Sequence, residues 1–166
     1  AVYDGVALFY ASHSNTGTAS LATAALATVK TAMFEQTEPN SLAALGLVPY
    51  HIFVPVELEN TAIAINQQEY LDSGYTYNWC KGMFGAANER IHVVPHWTDA
   101  DNYYIMGRPG DCPVIEMAFL NGRRDPEIIV QENVTVGSVF TNDKYTYKIR
   151  HIYGGVLSPD SAYVLF

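Results

Sequence analysis

Pro49-Tyr50-His51-Ile52-Phe53-Val54-Pro55, running on into Val56-Glu57-Leu58, is the stretch that decides the fold class. The run from His51 to Val54 shows little alternation, which suits a strand buried on both faces, entered from Leu47 and Val48. Pro55 stands where a first helical residue belongs, because the N–H it lacks would have no partner there. Leu58, Ala62 and Ile65 then recur at three- and four-residue spacing, which predicts a helix from Val56 to Gln68. A strand passing at once into a Pro-started helix, with more strands downstream, belongs to the α/β or α+β classes.

Upstream, Leu21, Ala25, Val29 and Met33 form an apolar stripe with Ala22 and Leu26 beside it. This predicts a helix near 20–36, capped by Thr18 or Ser20 and ended by Pro39. Its other face carries Thr23, Thr28, Lys30 and Thr31. Before it, the segment through Phe9 and Tyr10 reads as a turn and a short extended piece, and residues 12–17 as a loop. Asp4 and Lys30 are the only charged residues in 1–34, so part of this surface is expected to be covered in the working assembly.

Downstream, residues 71–90 are rich in glycine and aromatics without a period, and are expected to form an irregular, mobile loop near a subunit junction. Tyr75, Tyr77, Trp79 and Phe84 are its candidate subunit contacts, since aromatics are enriched in interface cores. Strands are expected at 91–94, 102–106, 114–120, 127–131 and 143–151. Asn121-Gly122 suits a tight hairpin turn, with the return strand after it. In the last strand Tyr145, Tyr147 and Ile149 alternate with Lys144, Lys148 and Arg150, giving one dry and one wet face. The closing residues Ala162 to Phe166 read as a docked strand. The pattern is one α+β domain over 1–166: two main helices, then a mostly antiparallel sheet.

At 166 residues with 49% apolar side chains, the chain can bury a full core and is not disordered. Only 16% are charged, and the net charge of −8 argues against a phosphate-gripping surface. Reactive groups do not gather into a motif. His92 and His96 lie on extended chain, where residues four apart stand about 13 Å apart, too far to share a metal. Asp99 and Asp101 add no evident third or fourth ligand. His13 lacks a Gly-x-Ser-x-Gly elbow, and Gly107-Arg108-Pro109-Gly110-Asp111 is a turn rather than a phosphate loop. Cys80 and Cys112 read as free thiols, although sequence leaves open whether they pair. Asn133-Val134-Thr135 fits a glycosylation sequon, and no apolar run is long enough to span a membrane. By elimination an interaction or structural role leads. The alternatives are a thiol or metal-dependent hydrolase built on Cys80 or the histidines, and a small-ligand module using the aromatic loop 75–84.

Read as a whole, the chain resembles the core domain of Mu-like phage and prophage major head subunits. The residues that carry this are Asp4-Gly5-Val6-Ala7-Leu8-Phe9 with His13 and Asn15, then an Ala-rich helix ending near Met33 and Gln36. Pro49 to Pro55, Asp101 to Pro109, Pro113 to Gly122 with Pro126, and Tyr147-Lys148-Ile149-Arg150-His151-Ile152-Tyr153-Gly154-Gly155 follow in the family's order. The resemblance implies part of a Hong Kong ninety-seven type coat fold and a structural shell protein that is not an enzyme and needs no cofactor. It implies that the chain is the C-terminal portion of a longer coat protein whose upstream arm and spine helix precede it. Its partners would be other copies of itself in pentamers and hexamers, with no specific nucleic-acid binding and no membrane. Its place would be the virion, and the host cytoplasm during assembly.

Overall fold

The computed structural model describes residues 5–37, 43–71, 76–111, 113–133, 135 and 137–157. Tyr75, Cys112, the Pro39 helix stop and the closing segment 162–166 lie outside the described residues. The chain divides into two compact units: unit 1 is Ala1–Val114 with Leu157–Phe166, and unit 2 is Ile115–Val156. Helices and strands alternate in the first part of the chain and strands predominate later, and the class is α+β.

Unit 1 holds the main core. Helix α1 (Thr23–Glu35) buries Ala25, Leu26, Val29 and Met33, the stripe that the four-residue spacing picks out. Its start differs from the expected cap. Ala22 is the N-cap with no side-chain bond, and Thr18 and Ser20 lie too far upstream to serve. Leu21 and Leu26 instead occupy the two positions of a hydrophobic staple, and both belong to the core. Ala22 itself is exposed rather than part of the stripe. Helix α1 ends at Gln36, whose backbone turns extended.

The opening segment is a series of bends and a 3₁₀ turn at Ala11–His13, not a strand. Its shape comes from side chains bonding the backbone. Asn15 donates to Leu8 O at 2.8 Å and accepts from Tyr10 N–H at 3.1 Å. His13 Nδ1 lies 3.1 Å from the same Leu8 O, and Gln36 Nε2 donates to His13 O at 2.9 Å. His13, Asn15, Met33 and Gln36 are all buried, so these residues of the opening pattern hold the N-terminal loop against the end of α1.

Strand β1 (His51–Val54) is central in a three-stranded sheet. It buries Ile52 and Val54 completely and leaves His51 and Phe53 half-buried, so one face of the strand meets the core rather than both. After Pro55 a 3₁₀ turn (Val56–Leu58) leads into α2 (Glu59–Gln67), as the Pro-started helix requires. Strand β2 (Ile91–Val93) then pairs parallel with β1, and β3 (Tyr104–Met106) pairs antiparallel on its other side. This sheet is therefore mixed, with the parallel β1–β2 pair beside the antiparallel pairs that the mostly antiparallel pattern leads one to expect. The reason is topological: α2 and the following loop return the chain to the end of β1 where it began, and such a crossover gives a parallel neighbour.

Residues 76–90 are irregular, as the composition foretells, yet they are pinned to the core. Asn66 on α2 is 2% exposed and donates from Nδ2 to Gly85 O at 2.7 Å and to Asn88 Oδ1 at 2.8 Å. Its Oδ1 accepts the Phe84 N–H at 2.9 Å. Asn78, fully buried, donates to Ile65 O at 2.7 Å and Gln68 O at 2.9 Å, and accepts from Cys80 N–H at 3.0 Å. Gly85 carries φ +90°, and a Cβ there would run into the Glu89 carboxylate, so glycine is required. A segment holding this many buried amide bonds is an ordered part of the core, not a free loop.

Unit 2 contains two two-stranded sheets and a short helix. Strand β4 (Ile115–Phe119) pairs with β7 (Tyr153–Leu157), and β5 (Glu127–Gln131) pairs antiparallel with β6 (Thr146–Arg150). Helix α3 (Gly137–Asn142) lies between β5 and β6 in the chain. The Asn121-Gly122 turn does form, with φ +55° and +70° and an Arg123 N–H bond to Leu120 O. It does not join a hairpin, because β4 and β5 each take a different partner. Arg123 to Pro126 intervene before β5 begins, and Pro126 offers no N–H to extend a ladder back toward the turn.

Candidate functional site

The candidate contacts of the aromatic segment separate into two groups. Phe84 is 1% exposed and packs in the core of unit 1 with Ile65, Cys80 and Ile105, so it presents no surface to a neighbour. Tyr77 and Trp79 are exposed. Tyr77 forms a β-bridge with Tyr70, and their rings meet edge-on at 6.4 Å between centroids. Trp79 lies beneath the Lys30 ammonium, 5.1 Å from the ring centre. Ala27, Lys30, Thr31, Phe34, Glu35 and Trp79 line a shallow recess on the outward side of α1. Phe34, half exposed there, is absent from the sequence reading; its signal is the outward spacing Ala27, Lys30, Phe34.

A second exposed apolar surface is in unit 2. In the β5–β6 register Ile128 faces Ile149 and Val130 faces Tyr147, while Glu127 faces Arg150 and Ile129 faces Lys148. Alternation places the first two pairs on one side of the ribbon and the last two on the other. The segregation matches the Tyr145, Tyr147, Ile149 alternation in sequence, but the apolar side is not dry. Ile128 is 65% exposed, Tyr147 68% and Ile149 71%. The cause of the difference is that the ribbon is only two strands wide, and among the described residues nothing buries that face. On the polar side the Glu127 carboxylate takes Arg150 at 2.6 Å and Arg123 at 2.9 Å. Hydrogen bonds from Arg150 and then Arg123 hold its carboxyl below the usual range.

Charge is unevenly shared. Unit 2 contains five of the nine Lys and Arg residues and five of the seventeen Asp and Glu residues, so it is neutral. The whole net charge of −8 resides in unit 1.

The groups weighed for chemistry are placed elsewhere. Cys80 is fully buried, and burial pushes its thiol up to about 11 despite the nearby Lys30 ammonium. A thiol in that state is not a nucleophile near neutral pH. His92 Nε2 meets His51 Nδ1 at 3.0 Å, and its ring stacks on Phe53 at 4.9 Å between centroids. Its partner is thus His51 across the parallel strand pair, while His96 sits exposed in a turn after β2. His13 is spent on the N-terminal loop. Among the described residues no three His, Cys, Asp or Glu side chains come together as a metal site.

Comparison with known families gives the class of protein. A family described as phage capsid protein matches residues 1–165, and the chain belongs to it. It is a structural capsid protein of a bacteriophage, a virion component that assembles into a shell with copies of itself. No curated protein and no solved structure matches the chain. Among the described residues no helix is long and apolar enough to cross a membrane.

Proposed function

We propose that the chain is the major head subunit of a Mu-like tailed phage or prophage, built on the Hong Kong ninety-seven type coat fold. Its copies form pentamers and hexamers that close an icosahedral shell, assembled in the host cytoplasm, and it performs no catalysis. Both units serve as parts of one coat subunit. The observation that carries the reading is the set of large apolar side chains exposed on both units, Phe34, Tyr77 and Trp79 on one and Ile128, Tyr147 and Ile149 on the other. A monomer seldom leaves so much apolar surface wet, whereas a subunit surrounded by neighbours covers it. The ordered resemblance along the whole length supports the Mu-like assignment. Tyr77 and Trp79 are proposed as contacts at a subunit junction. Electron microscopy of the purified full chain tests the reading: closed particles or capsomers are expected, and small monodisperse particles under all assembly conditions would overturn it. Replacing Tyr77 and Trp79 by Ser is expected to reduce assembly while the circular dichroism spectrum is unchanged. Undiminished assembly would remove these two residues from the junction.

A further inference from the structure

We propose that Arg90 and Arg108, gathered around the Tyr50 ring with His51 beside them, form a receptor for a single phosphate group, free or at the end of a small molecule such as a nucleotide. The Arg90 guanidinium lies 3.9 Å and that of Arg108 5.8 Å from the centre of the Tyr50 ring. The His51 ring meets Tyr50 edge-on at 4.8 Å between centroids, and His51 Nδ1 lies 3.0 Å from His92 Nε2. The sheet brings these groups together. Tyr50 and His51 stand at the start of β1, Arg90 immediately precedes β2, and Arg108 follows the end of β3. Parallel pairing of β1 with β2 and antiparallel pairing with β3 put these three positions at one end of the sheet. The Ile52 N–H bond to Arg90 O at 3.0 Å and the Tyr50 N–H bond to Met106 O at 2.9 Å fix them there.

Unit 1 carries the whole net charge of −8, yet neither arginine has a carboxylate partner. Among the described residues the ion pairs join Lys81 to Glu69, and Arg123 and Arg150 to Glu127. The acids nearest in sequence do not neutralise them. The Glu89 carboxylate accepts the Ala87 N–H at 3.0 Å, and Asp111 meets Arg108 through the backbone, its N–H bonding Arg108 O at 3.0 Å. Stacking on an aromatic face occupies the plane of a guanidinium and leaves its N–H edge free for a ligand. That edge matches two phosphate oxygens at once. The His51 pKa reports the same uncompensated positive field: burial first, then His92 and Arg90, hold it below 6.5. Two fixed cations suit a dianion, where a carboxylate would neutralise only one. The net charge of −8 repels a long polyanion, so an isolated phosphate group fits this place better than a duplex backbone.

Calorimetric titration of the full chain with inorganic phosphate, at an ionic strength held constant with sodium chloride, tests the site. Saturable binding with a Kd of about 1 mM or tighter is expected. Arg90→Gln and Arg108→Gln should each weaken it at least ~10-fold, the scale of a lost charge-assisted hydrogen bond. Arg108→Lys keeps the charge without the fork and should fall between. Arg90 is half-buried and Arg108 exposed, so the Arg108 variants carry the test should the Arg90 variant fail to fold. The His51 ring signals, followed by NMR from about pH 5 to 8, should titrate at a higher pH with phosphate bound, because a nearby anion favours the imidazolium. Adenosine monophosphate separates the two sources: tighter binding than inorganic phosphate makes the natural group the end of a nucleotide, and equal or weaker binding makes it free phosphate. No saturation below about 10 mM, binding that both glutamine variants retain, a His51 titration that phosphate leaves unmoved, or a short DNA duplex held more tightly than phosphate at the same ionic strength would each overturn the proposal.

Discussion

Asn66→Ala should unfold unit 1 at a markedly lower denaturant concentration. The Asn66 amide is buried with both donors and its oxygen engaged: two N–H groups reach Gly85 O and Asn88 Oδ1, and its oxygen takes the Phe84 N–H. Truncation affects these three partners differently. Gly85 O keeps the Asn88 N–H at 3.3 Å, and Asn88 Oδ1 is near enough to the surface to find water. The Phe84 N–H is left inside the core beside a side chain that is 1% exposed. An orphaned buried donor costs about 1–3 kcal/mol, and the lost packing of the amide brings the total to about 2–4 kcal/mol. With a urea slope of about 2 kcal/mol per molar, the midpoint should fall by about 1–2 M. Trp79 and Trp97 both lie in unit 1 and report the transition by fluorescence. Asn66→Asp keeps the shape but puts one carboxylate oxygen, in place of Nδ2, against both Gly85 O and Asn88 Oδ1, so at pH 7 it should cost at least as much. Asn88→Gly is the control: it loses one partly exposed bond but relieves the left-handed backbone at φ +60°, and should cost under about 1 kcal/mol. A midpoint shift under about 0.3 M for Asn66→Ala would refute the claim that buried amides hold the loop.

Acidification should weaken unit 1, because burial, then His92, then Arg90 hold the His51 pKa below its ordinary 6.5. The unfolded chain then binds more protons than the folded one, so the stabilisation is present above pH 6.5 and is lost as pH falls through the lowered value. Thermal melts between pH 7.5 and about 5 should show a smaller fall for His51→Gln than for the unaltered chain; parallel curves would exclude His51 as the cause. In a Cys112→Ser background, Cys80 should react with maleimide only after denaturation, since a pKa near 11 against 9.0 leaves ~100-fold less thiolate; fast labelling of the folded chain would contradict its burial. Ile105→Ala, which removes a fully buried side chain of β3, should cost about 2–5 kcal/mol in denaturant titration, and a loss below about 1 kcal/mol would mean that β3 is not part of the main core.

What sequence conveys well here is periodicity. Leu21, Ala25, Val29 and Met33 mark α1, Pro55 marks the approach to α2, and the alternation around Tyr147 marks the two sides of β6. What it conveys poorly is where an apolar side is buried. Tyr147 and Ile149 look alike in sequence whether their cover is the same chain or another one, because alternation reports a preference for burial and not the identity of the partner. Asn121-Gly122 specified its turn correctly, yet local turn chemistry does not choose which strands pair afterwards. Helix α3 escaped notice because Gly137-Ser138-Val139-Phe140-Thr141-Asn142 combines a glycine, a β-branched valine and threonine, and less than two turns of spacing. The buried amides of Asn66 and Asn78 carry no sequence signature, since asparagine on a helix or in a turn ordinarily faces water. For the same reason Phe84 read as an interface aromatic when it was a core one.

The two-strand width of the unit 2 sheets has a kinetic consequence for a container made of many identical parts. An isolated two-stranded ribbon is marginal in water, so where it serves as a contact part of the gross attraction would be spent on holding it in order and each bond would be weak. Weak bonds break often. A subunit added in the wrong orientation then departs before its neighbours trap it, while one added correctly is retained by several contacts acting together. Adding a third layer beneath the ribbon, by design or by a fused strand, should strengthen every joint and yield fewer closed particles, because errors would no longer be released.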